Sequence, residues 1–220
     1  MKLLCINFSR YAEGSGLAAK FNKIRAFAFL FTTKLIIADG RNDCLRLIDF
    51  TNNPPSTTRF AGQCKTSGFV EGHRLNDAIL AFPTSLALGS NNSIVYFVDN
   101  SKNNVRKINL ESDEVTLVNT FSEQLQELLF YNNALYATLN SVKVTKINVE
   151  TSNDEIIAGD VTGKTTGLLL ETRFNYAREF ICWPDAQQEI FLVADTNNER
   201  FDKIFNQICY LTTKQTFLSN

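Results

Sequence analysis

Few residues of this chain have the chemistry of a catalytic site. The sequence contains one histidine, His73, so a metal site built from several histidines is excluded. A Ser-His-Asp triad would have to use that residue, and no nucleophile-elbow sequence is present. Residues 159–165 end in Gly-Lys-Thr, but their two glycines are one residue too close for a phosphate-binding loop, and we interpret them as a loop between strands. The sequence predicts no catalytic residue, no metal and no cofactor, and hence a protein that is not an enzyme.

Carboxylates and guanidinium groups recur at regular places instead. Asp39, Asp99 and Asp195 each end an apolar run and precede turn residues that include asparagine. Arg46 and Arg106 follow the first two of these aspartates by seven residues. The carboxylates could form a ring that binds cations or basic groups, and the arginines could bind acidic ligands. We favour the structural alternative, in which each aspartate caps its turn and each arginine forms a hydrogen bond or ion pair within or between repeats.

These residues lie in hairpins that repeat along the chain. Each marker aspartate stands between two alternating runs, which is typical of two strands joined by a tight turn. A weaker copy places Thr138 at the aspartate position, and the four markers are about 50 residues apart on average. Glycine-containing loops precede the strong copies and lead to Phe21, Phe82 and Phe174, which we expect to anchor the loop ends in the core. A period of this size predicts an all-β fold, a β-propeller with about four recognisable blades.

One repeat resembles a known family in detail. Gly62, Gly68, Glu71-Gly72, Ala78 and Phe82-Pro83, followed by Val98-Asp99, Asn103, Val105-Arg106 and Ile108, form a pattern similar to the NHL repeat. The resemblance implies one NHL-like propeller domain over residues 1–220, with repeat units at roughly 1–60, 61–118, 119–157 and 158–220. NHL propellers usually have about six blades, so the chain either closes a four-bladed ring or forms part of a larger ring completed by further sequence or by another chain.

The cysteines and two glycosylation sequences bear on the cellular compartment. Cys44 and Cys64 are expected on the last two strands of one blade, where a disulfide is geometrically reasonable. Cys5 corresponds in position to Cys64, Cys182 could pair with Cys209, and free buried thiols are the alternative. Asn7 and Asn91 begin glycosylation acceptor sequences. Together these features slightly favour an extracellular or secreted protein, although no complete signal peptide is visible.

Composition and charge leave a binding module as the preferred function. The chain has 220 residues, 18 of them phenylalanine, and a net charge of −1, which gives no general attraction to nucleic acid or anionic membranes. Its longest apolar stretch, residues 26–31, is too short to span a bilayer. We predict a scaffold that binds a protein, peptide or glycan and could assemble as a homo- or hetero-oligomer. The alternatives are a propeller lyase or hydrolase with a site at the channel mouth, and an RNA-binding NHL module. The candidate binding residues lie on predicted loops: Glu71, His73, Arg74, Asn100 and Lys102.

Overall fold

The chain folds into four antiparallel sheets. The computed structural model describes residues 11–165, 172–185, 188–205 and 209–212. Two compact units can be separated, one up to Ser122 and one from Glu123 onward, and each contains two of the sheets. The apolar, β-branched runs found in the sequence become strands, as their alternation predicts.

The first unit contains two five-stranded blades of the same topology. In both, four strands follow one another across the sheet, and a two-residue strand from the preceding loop pairs with the last of them. The first blade consists of β1 (Gly14–Ser15), β2 (Ile24–Phe31), β3 (Lys34–Asp39), β4 (Cys44–Asp49) and β5 (Ser56–Ala61). The second consists of β6 (Gly72–His73), β7 (Pro83–Leu88), β8 (Ile94–Asp99), β9 (Asn104–Asn109) and β10 (Glu114–Thr120).

The second unit contains two four-stranded blades. The third blade consists of β11 (Leu125–Tyr131), β12 (Ala134–Leu139), β13 (Lys143–Ile147) and β14 (Asp154–Ala158). The fourth consists of β15 (Ala177–Asp185), β16 (Gln188–Asp195), β17 (Arg200–Phe205) and β18 (Cys209–Thr212). Residues 121–124 form the short loop between β10 and β11.

The marker aspartates hold the same register in three blades. Asp39, Asp99 and Asp195 are each the last residue of the second strand, and each pairs with the first residue of the third. A short 3-10 turn follows, and the residue after it, Asp43, Asn103 or Glu199, has a positive φ of 51 to 55°. The first, second and fourth blades are therefore structurally equivalent at these positions.

The first and second blades pack against each other through small and branched apolar side chains. Ala26, Ala28 and Leu30 of β2 share one core cluster with Leu86 and Leu88 of β7. Small residues on one blade and larger ones on the other allow the two innermost strands to approach closely. The second unit has its own core, in which the Phe191 ring lies 4.7 Å from that of Tyr136.

A disulfide joins Cys44 to Cys64, as the sequence predicted. Cys44 begins β4, whereas Cys64 lies three residues beyond the end of β5 rather than on that strand. The bond therefore ties the start of the long loop between the first two blades to the third strand of the first blade. The pairing of the other cysteines stays a prediction. Cys5 lies outside the described residues, and the side chains of Cys182 and Cys209 are not described.

The anchor residues of the inter-blade loops are as predicted in two blades and different in one. Phe21 and Phe174 are buried at the loop ends. In the second blade the buried residue at this position is Leu80, while Phe82 is half-buried and has a positive φ of 56°. The prediction that Phe82 anchors the loop was wrong because Leu80 is the residue that corresponds to Phe21: Ala81 and Asn22, which follow them, both donate their backbone N–H to the marker aspartate.

A candidate binding surface on the first unit

A buried ion pair fastens the loop that precedes the first blade. Asp39 accepts a hydrogen bond from the Asn22 backbone N–H at 2.7 Å, and its other oxygen lies 3.2 Å from Nη1 of Arg46. The Arg46 guanidinium also donates to the carbonyls of Ala12 and Lys20, at 2.9 and 3.3 Å. Both side chains are fully buried, so the pair holds the loop across the blade and is not exposed to a ligand.

The second blade repeats this arrangement in detail. Asp99 accepts from the backbone N–H of Ala81 at 3.0 Å and pairs with Arg106 Nη1 at 3.0 Å. Arg106 donates in turn to the carbonyls of Val70 and Ile79. Both side chains are again fully buried.

The structural interpretation is confirmed for Arg46 and Arg106, which form buried ion pairs and bind loop carbonyls. The prediction that the aspartates cap the turns that follow them was wrong: Asp39 and Asp99 make no side-chain cap, because their carboxylates accept from the loop N–H groups of Asn22 and Ala81 instead.

The fourth blade achieves the same connection with exchanged residues. Asp202 stands where the other blades have arginine, and Arg200, two residues earlier on the same strand, supplies the guanidinium. Arg200 lies 3.2 Å from Asp195 and donates to the carbonyls of Lys164 and Arg173. Residues i and i+2 of a strand point to the same face of the sheet, so an arginine at position 200 can contact the same loop as an arginine at position 202 would.

The third blade shows what happens where no long loop exists. Thr138 and Thr145 occupy the aspartate and arginine positions, and both are buried. Thr138 Oγ1 accepts from the Glu127 N–H at 3.1 Å, and Thr145 donates to the Glu155 carbonyl at 3.0 Å. The ion pair is thus found in the blades that have a long preceding loop. In the third blade two neutral hydroxyls form the hydrogen bonds that the backbone of the neighbouring strands requires.

The loop around Gly159 is structural as well. Gly159 has a φ of 75°, and a Cβ at this position would collide with the Val142 carbonyl and approach the Phe174 ring. Lys164 offers its carbonyl to Arg200. The interpretation of residues 159–165 as a loop of the last blade is therefore confirmed, and its glycines serve close packing.

Burial changes the acidity of these carboxyl groups. Desolvation raises the pKa of Asp99 to about 6, against the opposing effect of the Arg106 hydrogen bond and charge; the nearby Asp43 carboxylate adds to the increase. Desolvation also raises the pKa of Asp202 to about 6, and that of Asp39 to a smaller extent. An aspartate with a raised pKa binds its proton more tightly in the folded state than in the unfolded state.

The raised pKa values predict that folding becomes more favourable on mild acidification. The stability that protonation provides is fully present below the unfolded pKa near 3.8 and is lost as the pH rises through about 6. We expect the free energy of unfolding to increase by about 2 kcal/mol between about pH 7 and pH 5, Asp99 and Asp202 contributing comparable shares. Urea unfolding in a His73→Gln background, which has no imidazole, measures this. Asp99→Asn should remove about half of the slope, and an opposite slope would contradict the assignment.

The predicted binding residues are positioned in two groups. Glu71, His73 and Arg74 lie against the outer strand of the second blade. There Glu71 accepts from the Leu117 N–H, Arg74 Nε donates to Asp113 at 2.6 Å, and Arg74 Nη1 donates to the Phe60 carbonyl at 2.7 Å. His73 is half-buried, and its Nδ1 accepts from the Leu75 N–H. These three side chains hold the loop to the blade, and their role in binding a partner stays a prediction.

Asn100 and Lys102 lie elsewhere, in the turn between β8 and β9. The Asn100 and Ser101 N–H groups donate to the carbonyls of Phe82 and Ala81, at 3.4 and 3.3 Å. The corresponding turn of the first blade lies beside Phe82 too, since the Phe82 N–H donates to Asp43 at 2.9 Å. The two turns and the end of the long loop therefore form one continuous surface of the first unit.

This surface is rich in cations that sequence analysis did not connect. Lys23 and Arg41 adjoin the turn of the first blade through backbone hydrogen bonds, Arg25 packs against Gly40, and the Lys65 N–H donates to the Asn42 carbonyl at 2.7 Å. We call the basic end surface the five exposed cations at this place: Lys23, Arg25, Arg41, Lys65 and Lys102. Their sequence signal was weak, because only the fold brings positions from 23 to 102 together.

The cations of the basic end surface are available to a partner. None of the five forms an ion pair with any residue that the structure describes. Lys23 Nζ lies 5.2 Å from the centre of the Phe82 ring, which is half-buried within this surface. The acidic neighbour Asp43 already accepts hydrogen bonds from Phe82 and Ser67. The surface therefore offers positive charge and one aromatic ring on firmly held turns.

Other features of the described residues add less. A hollow of 440 Å³ in the third blade has a polar lining that includes Asn148, Asn153 and Glu155. Over the described ranges, no three His, Cys, Asp or Glu side chains converge as metal ligands would. Asn91 is exposed in a turn, where glycosylation stays a prediction, and Asn7 lies outside the described residues. Among the helices of the described residues, none has the length and hydropathy needed to cross a bilayer.

The fold has clear relatives among solved structures. An auxiliary nutrient binding protein from Bacteroides ovatus matches with a TM-score of 0.56 and 11% identity over 96% of this chain. An auxiliary nutrient binding protein from Bacteroides thetaiotaomicron gives a TM-score of 0.53 and 14% identity over 96% of this chain, and the WD40 propeller domain of Doa1 gives 0.56 and 12% over 90%. This chain has the β-propeller fold. At these identities the likeness shows the fold alone.

This chain matches only part of each similar protein. The chain covers 63% of the length of each nutrient binding protein and 56% of the Doa1 domain chain. No family model matches the sequence, and no curated protein matches it either. The function must therefore be argued from the surface of this propeller itself.

Proposed function

We propose that this protein is a non-enzymatic binding module whose basic end surface binds an acidic segment of a partner protein. The observation that carries the proposal is the cluster of five exposed cations without internal ion pairs, in a chain whose net charge is −1. Such a local field attracts carboxylates and accelerates encounter, while the rest of the molecule does not.

The supporting structure favours recognition with little rearrangement. The turns that carry these cations are connected to the buried Asp39–Arg46 and Asp99–Arg106 pairs. Because the loops are fixed before a partner arrives, less conformational entropy is lost on binding. Two of the structurally similar proteins are described as nutrient binding proteins, which is compatible with a propeller used for binding.

Two finer points belong to the same proposal. The repeated register of Asp99, Asn103 and Arg106 supports blades of the NHL type. The Cys44–Cys64 disulfide supports folding in an oxidising, extracellular or secretory compartment.

The proposal is tested by binding of a labelled poly-glutamate peptide, followed by fluorescence anisotropy at ionic strengths of about 0.02 and 0.15 M. The triple variant Lys23→Glu/Arg41→Glu/Lys102→Glu should lower the affinity on the order of 100-fold, since each exposed charge contact contributes about 1 kcal/mol. The charge-matched control Lys34→Glu/Lys107→Glu/Lys146→Glu reverses cations outside the surface and should bind much more tightly than the first triple variant.

Three results would count against an acidic protein partner. Equal loss in both triple variants would mean that only net charge matters. Absence of binding by the unmodified chain would remove the basis of the proposal. Tight binding of single-stranded RNA with no binding of the peptide would favour the RNA-binding alternative, for which exposed cations and a ring such as Phe82 are also suitable chemistry.

A further inference from the structure

Each blade of the first unit has its outer strand covered by a short extended segment. β1 pairs with β5, and β6 pairs with β10. A glutamate precedes each short strand, and its carboxylate accepts from an N–H of the covered strand: Glu13 from Arg59 at 2.9 Å, and Glu71 from Leu117. We call the two covering segments the edge segments, residues 13–16 and 71–74.

The two edge segments share a sequence and a backbone conformation. Both begin with Glu-Gly, and the glycines, Gly14 and Gly72, have φ values of 131 and 114°. Residues with a side chain rarely adopt such values, so the conformation requires glycine. The last residue of each segment donates its N–H at 2.8 Å to the carbonyl just before the covered strand, that of Pro55 or Asp113.

The outer strand of the third blade, β14, has the same register as β5 and β10. Ile156 pairs with Thr145 at the arginine position, just as Arg59 and Leu117 pair with the arginines of their own blades. In all three sheets the register shifts directly beside this pair. The N–H of Ile156 therefore corresponds to the N–H that a glutamate caps in the first two blades.

The third blade has no edge segment of its own within the described ranges. Its sheet has four strands, and the loop before it, residues 121–124, is too short to supply a fifth one. Over those ranges no residue accepts from the Ile156 N–H, and the Ile156 side chain is 37% exposed. β14 thus has the register that receives an edge segment, without one from its own blade.

The charges of β14 disfavour a second copy as the occupant. Asp154 and Glu155 are exposed on this strand, and Glu150 is exposed in the turn before it. Lys146, which pairs with Glu155, balances only one of these charges. Two copies of β14 side by side would bring their carboxylates together, which is unfavourable across strands. A basic segment is the complementary occupant.

The same register indicates which residues such a segment needs. Glu71 lies opposite Thr116, and Glu155 is the equivalent of Thr116 in the third blade. A glutamate added there would be repelled by Glu155, whereas a glutamine side chain also reaches the N–H and is uncharged. The two residues after the glycine would lie diagonally across from Glu155 and Asp154, within reach of Lys and Arg side chains.

We propose that β14 binds an extended segment of a partner protein as an added antiparallel strand, and that this segment consists of Gln-Gly followed by two basic residues. The glutamine oxygen accepts from the Ile156 N–H, the glycine adopts the positive φ, and the basic residues face the carboxylates of β14. Main-chain hydrogen bonds supply the affinity in such strand addition, and the side chains supply the specificity. The site lies on the second unit and uses no residue of the basic end surface.

The probe is a labelled peptide with the sequence of residues 69–76 in which Glu71→Gln and His73→Lys are introduced, Phe-Val-Gln-Gly-Lys-Arg-Leu-Asn. Its binding is followed by fluorescence anisotropy at an ionic strength of about 0.15 M. Gly72→Ala within the peptide should weaken binding on the order of 10-fold, because alanine is strained at this φ. A scrambled peptide of the same charge should not bind.

Two variants of the protein test the contacts. Ile156→Pro removes the capped N–H and should lower the affinity on the order of 10-fold; proline is tolerated on an edge strand where the N–H points outward. Glu155→Lys should weaken binding of the glutamine peptide about fivefold and make the peptide that retains Glu71 the tighter ligand. The matched control Glu111→Lys reverses an exposed carboxylate of the second blade and should change neither affinity.

Hydrogen–deuterium exchange locates the peptide, since the fragment 153–158 should exchange more slowly when it is bound. Circular dichroism verifies that Ile156→Pro is folded, and the reversed preference of Glu155→Lys decides if it is not. Absence of binding, full affinity of a folded Ile156→Pro chain, or slow exchange at Ile156 without peptide would overturn the proposal. So would a dimer that Ile156→Pro dissociates, which would assign the edge to a second copy. Poly-glutamate binding should be the same in Ile156→Pro and wild type, so the two proposals fail separately.

Discussion

Replacing Arg106 with methionine is expected to lower the free energy of unfolding by about 3–5 kcal/mol, because a fully buried charge on Asp99 loses its partner. The substitution also removes the donors to Val70 and Ile79, whose carbonyls hold the long loop. Urea unfolding followed by far-UV circular dichroism measures the effect.

The neutral counterpart in the third blade provides the matched comparison. Thr145→Val removes one hydrogen bond, to the Glu155 carbonyl, and should cost only about 1 kcal/mol. Removing both charges with Asp99→Leu and Arg106→Met should recover part of the lost stability, since no unpaired carboxylate then remains. An Arg106→Met chain as stable as Thr145→Val would contradict the anchoring role of the pair.

The recurrence of these groups was visible in the sequence, and so was their structural role. Asp39 with Arg46 and Asp99 with Arg106 recur at one spacing between alternating runs, and alternation fixes which side of a strand each residue occupies. The spacing therefore predicted the hairpins and the blades. Turn chemistry led us to expect a structural role, but the aspartates fulfil it differently: they accept from N–H groups of the preceding loop and do not cap the turn that follows them.

The ion pair of the fourth blade could not be predicted from this spacing. Its spacing places Asp202 where arginine was expected, and the pattern could not show that Arg200 performs the task from two positions earlier. The partners of that arginine are the carbonyls of Lys164 and Arg173, which are distant in sequence. A backbone acceptor leaves no residue-type signal, so only the folded path of the loop identifies it.

The basic end surface was missed for a related reason. Net charge averages over the chain, and a value of −1 hides five exposed cations collected at one end of a two-blade unit. Lys102 was singled out from its predicted turn, but Lys23 and Lys65 were not, because the backbone hydrogen bonds that bring them to the same surface join loops of different blades. Loop placement is the least predictable part of a repeat fold, and binding surfaces are built from loops.

The Cys44–Cys64 bond was predictable because β4 and β5 are neighbours and Cys64 follows β5 closely, although it lies beyond the strand itself. Its removal is the second large effect we expect. The bond closes a segment of 20 residues, which corresponds to about 3 kcal/mol in the chain-entropy account. The double variant Cys44→Ala/Cys64→Ala should therefore unfold at lower urea concentration than the wild type by about that free energy. The loop it releases begins beside Lys65, so poly-glutamate affinity should fall by a smaller factor than in the triple charge variant.

Treatment with a reductant separates the effect of the Cys44–Cys64 bond on stability from that of the other cysteines. Dithiothreitol should shift the unfolding transition of the wild type to that of the double variant and leave the double variant unchanged. If the double variant is shifted as well, another cysteine pair contributes to stability; if the wild type is not shifted, the bond does not restrain the chain. Since the disulfide and the Asp99–Arg106 pair fasten opposite ends of one loop, combining Cys44→Ala/Cys64→Ala with Arg106→Met should cost less than the sum of the separate effects, because a loop released at one end has less order left to lose.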